Sequence, residues 1–250
     1  MNELLGLPYS PWSEKAKWAL DARRVPYRFR FYQPLIGEPA LRMKTGRWRG
    51  NVTVPVMTDE TGKVYDDSAK IARFADSAGE GPVLFPSEHE AAIAHWIEVG
   101  ERALSAGRVL SLHRTLEDPE ALRELVPRGM RNALGGVATS IGRMGVKRTL
   151  RKYAGPAQSI VEQTKIARAA LDELRLALTK STSTPKTILG TFTFADIAAA
   201  QMLSFVMPPA FGLKLGKASR RGFTDEALAK DYADLIAWRD ALYEAHRPKT

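Results

Sequence analysis

The pattern of apolar and polar positions predicts a strand followed by a helix at the start of the chain. The apolar run at 4–7 is typical of a short buried strand. Residues 13–24 repeat their apolar positions at helical spacing, so that Ala16 and Leu20 share one face. Lys15 falls on another face of this helix, and we expect it to point into solvent.

The next sixty residues continue the α/β pattern. Residues 26–32 alternate aromatic and polar side chains, which indicates a second strand. Residues 52–67 contain two extended runs around a polar turn and predict a hairpin, and 67–76 carries Ile71 and Phe74 at helical spacing. Because a helix joins the first two strands, we expect those strands to be parallel, with the hairpin adding antiparallel strands.

The second part of the chain is predicted to be all-helical. A cluster of glycines and prolines interrupts the periodicity and divides the chain into domains at 1–80 and 87–250. Ser87 and Glu90 have the spacing of a capping box, which predicts that a helix begins there. Residues 160–178 form the clearest amphipathic stretch.

The composition narrows the chemistry. The chain has 250 residues and no cysteine, which excludes disulfides, thiolate metal ligands and a nucleophilic enzyme thiol. Its four histidines lack metal-ligand spacing, so we expect no metal site. The first residues do not read as a signal peptide, and we expect a cytoplasmic protein.

Positive charge is concentrated in one segment. The net charge is +9, and residues 125–153, here called the basic segment, contain no acidic residue. We interpret this segment as an insertion in the helical domain. The stretch Arg128–Lys152 is either a contact for an anionic surface or a solvated basic face. No nucleic-acid motif accompanies it, so we expect no specific nucleic-acid binding.

The turn before the first helix carries the first candidate chemistry. Ser10 precedes Pro11, and a serine followed by proline at the first helical position is a common helix start. The question is whether Ser10 is only an N-cap or also directs its hydroxyl at a substrate, and we expect it to be both cap and donor. Its neighbour Tyr9 offers a second hydroxyl, whereas Ser13 is expected to be an ordinary first-turn residue.

Further motifs follow in a characteristic order. They are Ser10-Pro11, Val54-Pro55 at the hairpin, Asp67-Ser68 before a helix, and the T-x-x-D capping box of Thr193 and Asp196. In this order the chain resembles the glutathione S-transferases, and most closely their serine-type branches, the tau-like, omega-like and bacterial β-etherase-like enzymes. The resemblance implies an α/β thioredoxin-like N-terminal domain followed by an all-α C-terminal domain.

The resemblance also implies a glutathione site. Ser10, or alternatively Tyr9, would donate a hydrogen bond to the glutathione thiolate. The Val54-Pro55 bond would be cis, and the main chain of Val54 would pair with the cysteinyl moiety. Asp67 and Ser68 would bind the γ-glutamyl end.

Trp12 and one arginine are also assigned to this site, and each has an alternative role. Trp12 would pack over glutathione or simply belong to the core. Many serine-type members carry a Lys just before the Val-Pro pair to bind a glutathione carboxylate, but this chain has Thr53 there. Arg49 or Arg47 would replace that Lys, unless both are solvated loop charges.

The expected function follows from the resemblance. It implies a detoxification enzyme, expected as a homodimer, in which glutathione attacks an electrophilic and largely apolar small molecule. Glutathione-dependent ether cleavage is a related alternative, and a non-catalytic scaffold or ligand-binding protein is the alternative from another class. Cysteine-dependent thiol transfer is excluded because the chain has no cysteine.

Overall fold

A computed structural model describes residues 1–34, 36–153 and 159–249, apart from the side chain of Arg128. The strands are β1 (Asn2–Gly6), β2 (Tyr27–Phe31), β3 (Val56–Thr58) and β4 (Val64–Tyr65). The helices among them are α1 (Pro11–Ala22), α2 (Glu38–Thr45) and α3 (Ser68–Ala78). The later helices are α4 (Glu90–Glu117), α5 (Pro119–Glu124), α6 (Arg128–Leu134), α7 (Val137–Tyr153), α8 (Ile160–Thr179), α9 (Phe194–Met202), α10 (Lys217–Phe223), α11 (Glu226–Asp231) and α12 (Ala233–His246).

The strands form one mixed sheet in the order β2-β1-β3-β4. β1 pairs in parallel with β2, so that Leu4 lies opposite Phe29, and it pairs antiparallel with β3, so that Leu4 lies opposite Met57. The parallel pair and the antiparallel hairpin are confirmed. Helix α2, which the periodicity did not reveal, occupies the connection between β2 and β3.

Helix α1 is covered on both sides. It packs against α3 within the thioredoxin-like domain and against α9 of the helical part. Trp18 of α1 is fully buried in a core that continues through Phe192 and Phe194. The expectation that Lys15 points into solvent is wrong: its side chain is 1% exposed and pairs with Glu101 of α4. Periodicity marks the apolar face, but it does not reveal that a second domain covers the polar one.

The start of α4 also differs from the sequence prediction. Ser87 lies in a 3-10 turn, Ser87–His89, and α4 begins at Glu90 with no capping side chain. The Ser87–Glu90 capping box is therefore wrong. The Glu90 carboxylate instead accepts hydrogen bonds from Arg73 of α3. A long-range charge pair has replaced the local cap.

The helical part is organised around α4, which packs against α8 and α9. The amphipathic face of α8 buries Ala167, Leu171, Leu174 and Leu178, whereas its first residue, Ile160, is exposed. Helix α9 begins at the predicted capping box, in which the Thr193 backbone N–H donates to Asp196 Oδ2 at 2.8 Å. Both predictions are thus confirmed, except that Ile160, the first residue of α8, is exposed.

The basic segment forms α6 and α7. Helix α7 packs on α4 and α5 through the small buried residues Ala138, Gly142 and Val146. A Cβ on Gly142 would come within 2.0 Å of the Leu122 carbonyl oxygen, so only glycine permits this close packing. The C-terminal end of α7 therefore reaches the thioredoxin-like domain, where Lys152 Nζ donates to the Val52 carbonyl at 3.0 Å.

In the described ranges, none of the helices combines the length and the apolarity needed to cross a membrane. The same part of the chain holds no group of three His, Asp or Glu side chains placed to bind a metal ion.

Candidate active site

The turn between β1 and α1 presents Ser10 at the start of the helix. The Ser10 N–H donates to the Leu7 carbonyl at 3.0 Å, and the Ser10 carbonyl accepts from the Glu14 N–H at 2.9 Å. Ser10 has the extended backbone of an N-cap, but its side chain makes no capping hydrogen bond. The prediction of a capping hydroxyl is therefore wrong, and this hydroxyl stays available for another acceptor.

The neighbouring hydroxyls differ from Ser10. Ser13 is fully buried, and its Oγ accepts a hydrogen bond from the Leu7 N–H at 3.0 Å. That contact fixes the turn, so Ser13 has a structural role. Tyr9 is partly buried, and burial raises the pKa of its phenol, which keeps it protonated at neutral pH.

Sheet topology brings three of the predicted motifs to one edge. The antiparallel register pairs Leu5 with Val56, so the turn after β1 lies beside the residues that precede β3. The next pairing, Met57 with Tyr65, places the end of β4 at the same edge. Three motifs lie next to these strand ends. The turn that contains Ser10 follows β1, the Val54-Pro55 pair precedes β3, and the Asp67-Ser68 pair follows β4. Motifs that are far apart in sequence therefore share one edge of the sheet.

The Val54-Pro55 peptide bond is cis, as predicted. Pro55 is buried and stands just before β3, so the ladder loses no donor. Thr53 is exposed beside Val52, whose carbonyl holds Lys152. The basic segment thus brings a lysine close to the position where the sequence lacks one.

Asp67 and Ser68 begin α3. The Asp67 side chain accepts a hydrogen bond from the Lys70 N–H at 2.7 Å, which is an N-cap, and Ser68 is buried. The preceding Asp66 contacts Lys70 at 2.7 Å and Arg47 at 2.6 Å. Burial raises the pKa of Asp66, but these two cations outweigh it and hold the pKa below its ordinary value.

The two candidate arginines differ in their surroundings. Arg47 is engaged by Asp66, whereas Arg49 is exposed on the loop between α2 and β3. A role for Arg49 in binding glutathione stays a prediction.

Trp12 is directed toward α4. Its indole Nε1–H donates to Glu101 Oε2 at 2.7 Å, and the other carboxylate oxygen of Glu101 accepts from Lys15. Burial raises the pKa of Glu101, but the attraction of Lys15 and the hydrogen bonds from Lys15 and Trp12 outweigh it and lower the pKa. Trp12 therefore ties the first turn of α1 to the helical domain.

Arg108 of α4 completes this contact region. Its guanidinium carbon lies 4.7 Å from the ring centroid of Trp12 and 3.9 Å from that of Tyr153. The sequence carries no signal for this cluster, because its members lie on three helices and belong to no motif.

The remaining cations of the basic segment are surface residues. Arg143, Lys147, Arg148 and Arg151 are exposed along α7, and Arg143 also donates to the Leu116 carbonyl at 3.1 Å. Arg128, the first residue of the proposed anionic contact, has its side chain outside the described part of the structure. The anionic contact stays a prediction.

The chain matches known sequences in its N-terminal part. Residues 9–78 match the family model for the N-terminal domain of glutathione S-transferase. A probable glutathione S-transferase from Solanum tuberosum is 31% identical over 86 residues. That alignment covers 34% of this chain and 38% of the potato protein, so about two thirds of each protein lies outside it.

Solved structures extend the similarity to the helical part. A glutathione S-transferase of Ceriporiopsis subvermispora in complex with glutathione has a TM-score of 0.65 at 20% identity, with coverage of 100% of this chain and 98% of that one. A glutathione S-transferase from Methylobacillus flagellatus with glutathione bound has a TM-score of 0.62 at 17% identity, with full coverage of both chains. The N-terminal part of the chain is therefore similar to the N-terminal domain of the glutathione S-transferases, and the whole chain has their fold. Its two-part architecture, a thioredoxin-like sheet domain with helices packed against it, is the fold of these transferases.

Proposed function

We propose that this protein is a glutathione transferase in which Ser10 stabilises the glutathione thiolate. The observation that carries the proposal is the Ser10 hydroxyl at the start of α1, which makes no capping hydrogen bond. A serine at this position normally caps the helix, and here its side chain is free to donate elsewhere.

The chemistry requires an ionised thiol near neutral pH. A free thiol has a pKa of about 8.5. A hydrogen bond to the charged form and the positive end of a helix both lower that value. Ser10 at the N-terminus of α1 supplies the first and α1 supplies the second, without deprotonation of the serine.

The rest of the sheet edge suits the peptide part of glutathione. Val54 lies at this edge just before β3, where the family resemblance implies that its main-chain atoms pair with the cysteinyl part of the bound peptide. The N–H groups at the start of α3, together with Asp67, suit the carboxylate and ammonium of the γ-glutamyl end. Lys152 adds a cation beside Thr53 for the other carboxylate. Two structurally similar transferases hold glutathione, which supports this assignment.

The reaction that follows is a substitution or an addition on an electrophile. The thiolate sulfur forms a bond to an electrophilic carbon, and the leaving group, where there is one, departs with its electron pair. The second substrate would lie against the helical domain, next to Trp12 and α4.

The test is to titrate the thiolate absorbance of bound glutathione in the wild type and in Ser10→Ala. Because a hydrogen bond to a charged group contributes roughly 1.5–3 kcal/mol, we expect the variant to raise the bound thiol pKa by roughly one to two units. Turnover near neutral pH should fall by up to ~100-fold and recover partly in alkali.

Ser13→Ala is the matched control, because it removes a hydroxyl from the same helical turn that is engaged by Leu7. It should reduce stability without shifting the thiol pKa, and Tyr9→Phe should leave that pKa in place. A shift in the thiol pKa caused by Tyr9→Phe and not by Ser10→Ala would show that Tyr9, and not Ser10, stabilises the thiolate. Failure of the folded wild type to be retained on immobilised glutathione would favour the non-catalytic scaffold.

The homodimer and the cytoplasmic location expected from the sequence stay predictions. Light scattering of the purified chain tests the first of these.

A further inference from the structure

Two arginines of α4 have opposite surroundings. Arg114 is fully engaged: it donates to Asp225 Oδ2 at 2.7 Å and to the carbonyls of Gly222 and Phe205, each at 3.1 Å. Arg108, less than two turns earlier, makes no hydrogen bond or ion pair with the described residues, and its Nε is buried without a partner. Burial lowers the pKa of Arg108, which reflects the cost of withdrawing this cation from water.

The aromatic rings do not provide conventional hydrogen-bond acceptors for the Arg108 guanidinium. Trp12 and Tyr153 lie within cation–π range, but neither makes a hydrogen bond with its N–H donors. Glu101 attracts this cation, yet its two oxygens already accept from Lys15 and Trp12. The planar fork of Arg108 thus lacks the acceptor that a guanidinium binds best, a carboxylate.

The position of Arg108 links it to the candidate active site. Trp12 stands two residues after Ser10 in the first turn of α1. Tyr153 follows Lys152, which contacts the Val52 carbonyl just before the cis-proline loop. Arg108 therefore lies between the two segments that flank the proposed glutathione site. Aromatic side chains extend from it, with Phe205 centred 6.3 Å from Trp12 and Phe223 centred 4.8 Å from Phe205.

We propose that Arg108 binds a carboxylate of the second substrate, so that the preferred electrophiles are aromatic acids. The inference rests on the proposed function, because it assigns the second subsite of the same reaction. Trp12, which is only partly buried, provides an aromatic surface for the ring, and Arg108 provides the paired donors for the acid group. With 4-chloro-3,5-dinitrobenzoate as a probe, the glutathione sulfur forms a bond to the ring carbon and the C–Cl bond breaks. Chloride leaves with the electron pair, and no oxidant or reductant is needed.

Direct binding tests the site without the chemical step. Calorimetry would compare 3,5-dinitrobenzoate with the uncharged 1,3-dinitrobenzene on the full chain. Because a hydrogen bond to a charged group is strong, we expect the wild type to prefer the acid by about tenfold to a hundredfold. Arg108→Gln should abolish this preference. Arg108→Lys, which keeps the cation without the fork, should retain part of it.

Arg102→Gln, an exposed arginine of the same helix, is the matched control and should keep the full preference. An equal affinity of the wild type for both probes, or a preference that Arg108→Gln retains, overturns the proposal. The acid could instead be a carboxylate of glutathione. In that case Arg108→Gln would weaken glutathione binding and leave the probe preference unchanged, which also overturns the assignment.

The kinetic arm repeats the comparison with 4-chloro-3,5-dinitrobenzoate and 1-chloro-2,4-dinitrobenzene. Loss of activity on both electrophiles in Ser10→Ala tests the proposed function, in which Ser10 stabilises the thiolate. A selective loss of kcat/KM on the acid in Arg108→Gln, with circular dichroism unchanged, concerns the second subsite alone. The two hypotheses can therefore fail separately.

Discussion

The end of the chain offers a sharp test of the packing around α1. Arg247 Nε donates to Glu14 Oε1 at 2.7 Å, and its Nη1 donates to Asp21 Oδ2 at 2.6 Å. The side chains of Arg247 and Glu14 are 2% and 0% exposed. The perturbation is Arg247→Met, which keeps the apolar stem and removes the charge.

The expected cost follows from the charge that is left behind. Removing one partner of a buried ion pair costs about 3–5 kcal/mol, because the remaining ion stays buried without compensation. Lys17 also contacts Glu14, at 2.5 Å, and it remains in the variant. We therefore expect a loss in the free energy of unfolding near the lower limit, about 3 kcal/mol.

Urea denaturation followed by circular dichroism measures this loss, and Lys249→Met is the matched control. Lys249 lies two residues further along and contacts Glu244 at 2.7 Å, but both side chains are more than 60% exposed. Such surface pairs contribute about 0–1 kcal/mol, so the control should be nearly neutral. The double variant Glu14→Gln/Arg247→Met should recover part of the stability, because it removes the buried Glu14 charge, whereas Asp21 still loses its partner. If Arg247→Met costs no more than Lys249→Met, the reasoning is refuted.

Two further predictions concern the candidate active site. Lys152→Met should weaken glutathione binding about tenfold in calorimetry, because it removes a cation beside Thr53. Arg151→Met, which changes the exposed neighbour, should leave binding unchanged. Equal effects of the two substitutions would contradict this role of Lys152. The lowered pKa of Glu101 means that its stabilising contribution is present above its ordinary value of 4.5 and is lost as the pH falls below it. On acidification from neutral pH, the melting temperature of Glu101→Gln should therefore fall less than that of the wild type. Parallel curves of melting temperature against pH would contradict this reasoning.

Some features of this protein are determined by residues that lie close together in the sequence. The capping box of Thr193 and Asp196 and the N-cap at Asp67 depend on groups three residues apart, so local sequence suffices to predict them. The order of strands and helices follows from apolar periodicity in the same way. The Ser87–Glu90 box has the same local spacing, yet it did not form: α4 begins at Glu90 itself, and Glu90 contacts Arg73 of another helix.

Only the tertiary structure decided what surrounds the candidate site. Lys15 has the sequence position of a solvent-facing residue, and the packing of α4 against α1 buries it beside Glu101. Arg108 and Tyr153 approach Trp12 because α4 and α7 converge on the first turn of α1, although these residues are far apart in the chain. Periodicity records which face of a helix is apolar, but it carries no information about which element covers the other face. The sequence therefore determined the elements of the sheet domain apart from α2, together with the motifs at the edge that carries Ser10. Long-range packing between the domains decided which charges meet there.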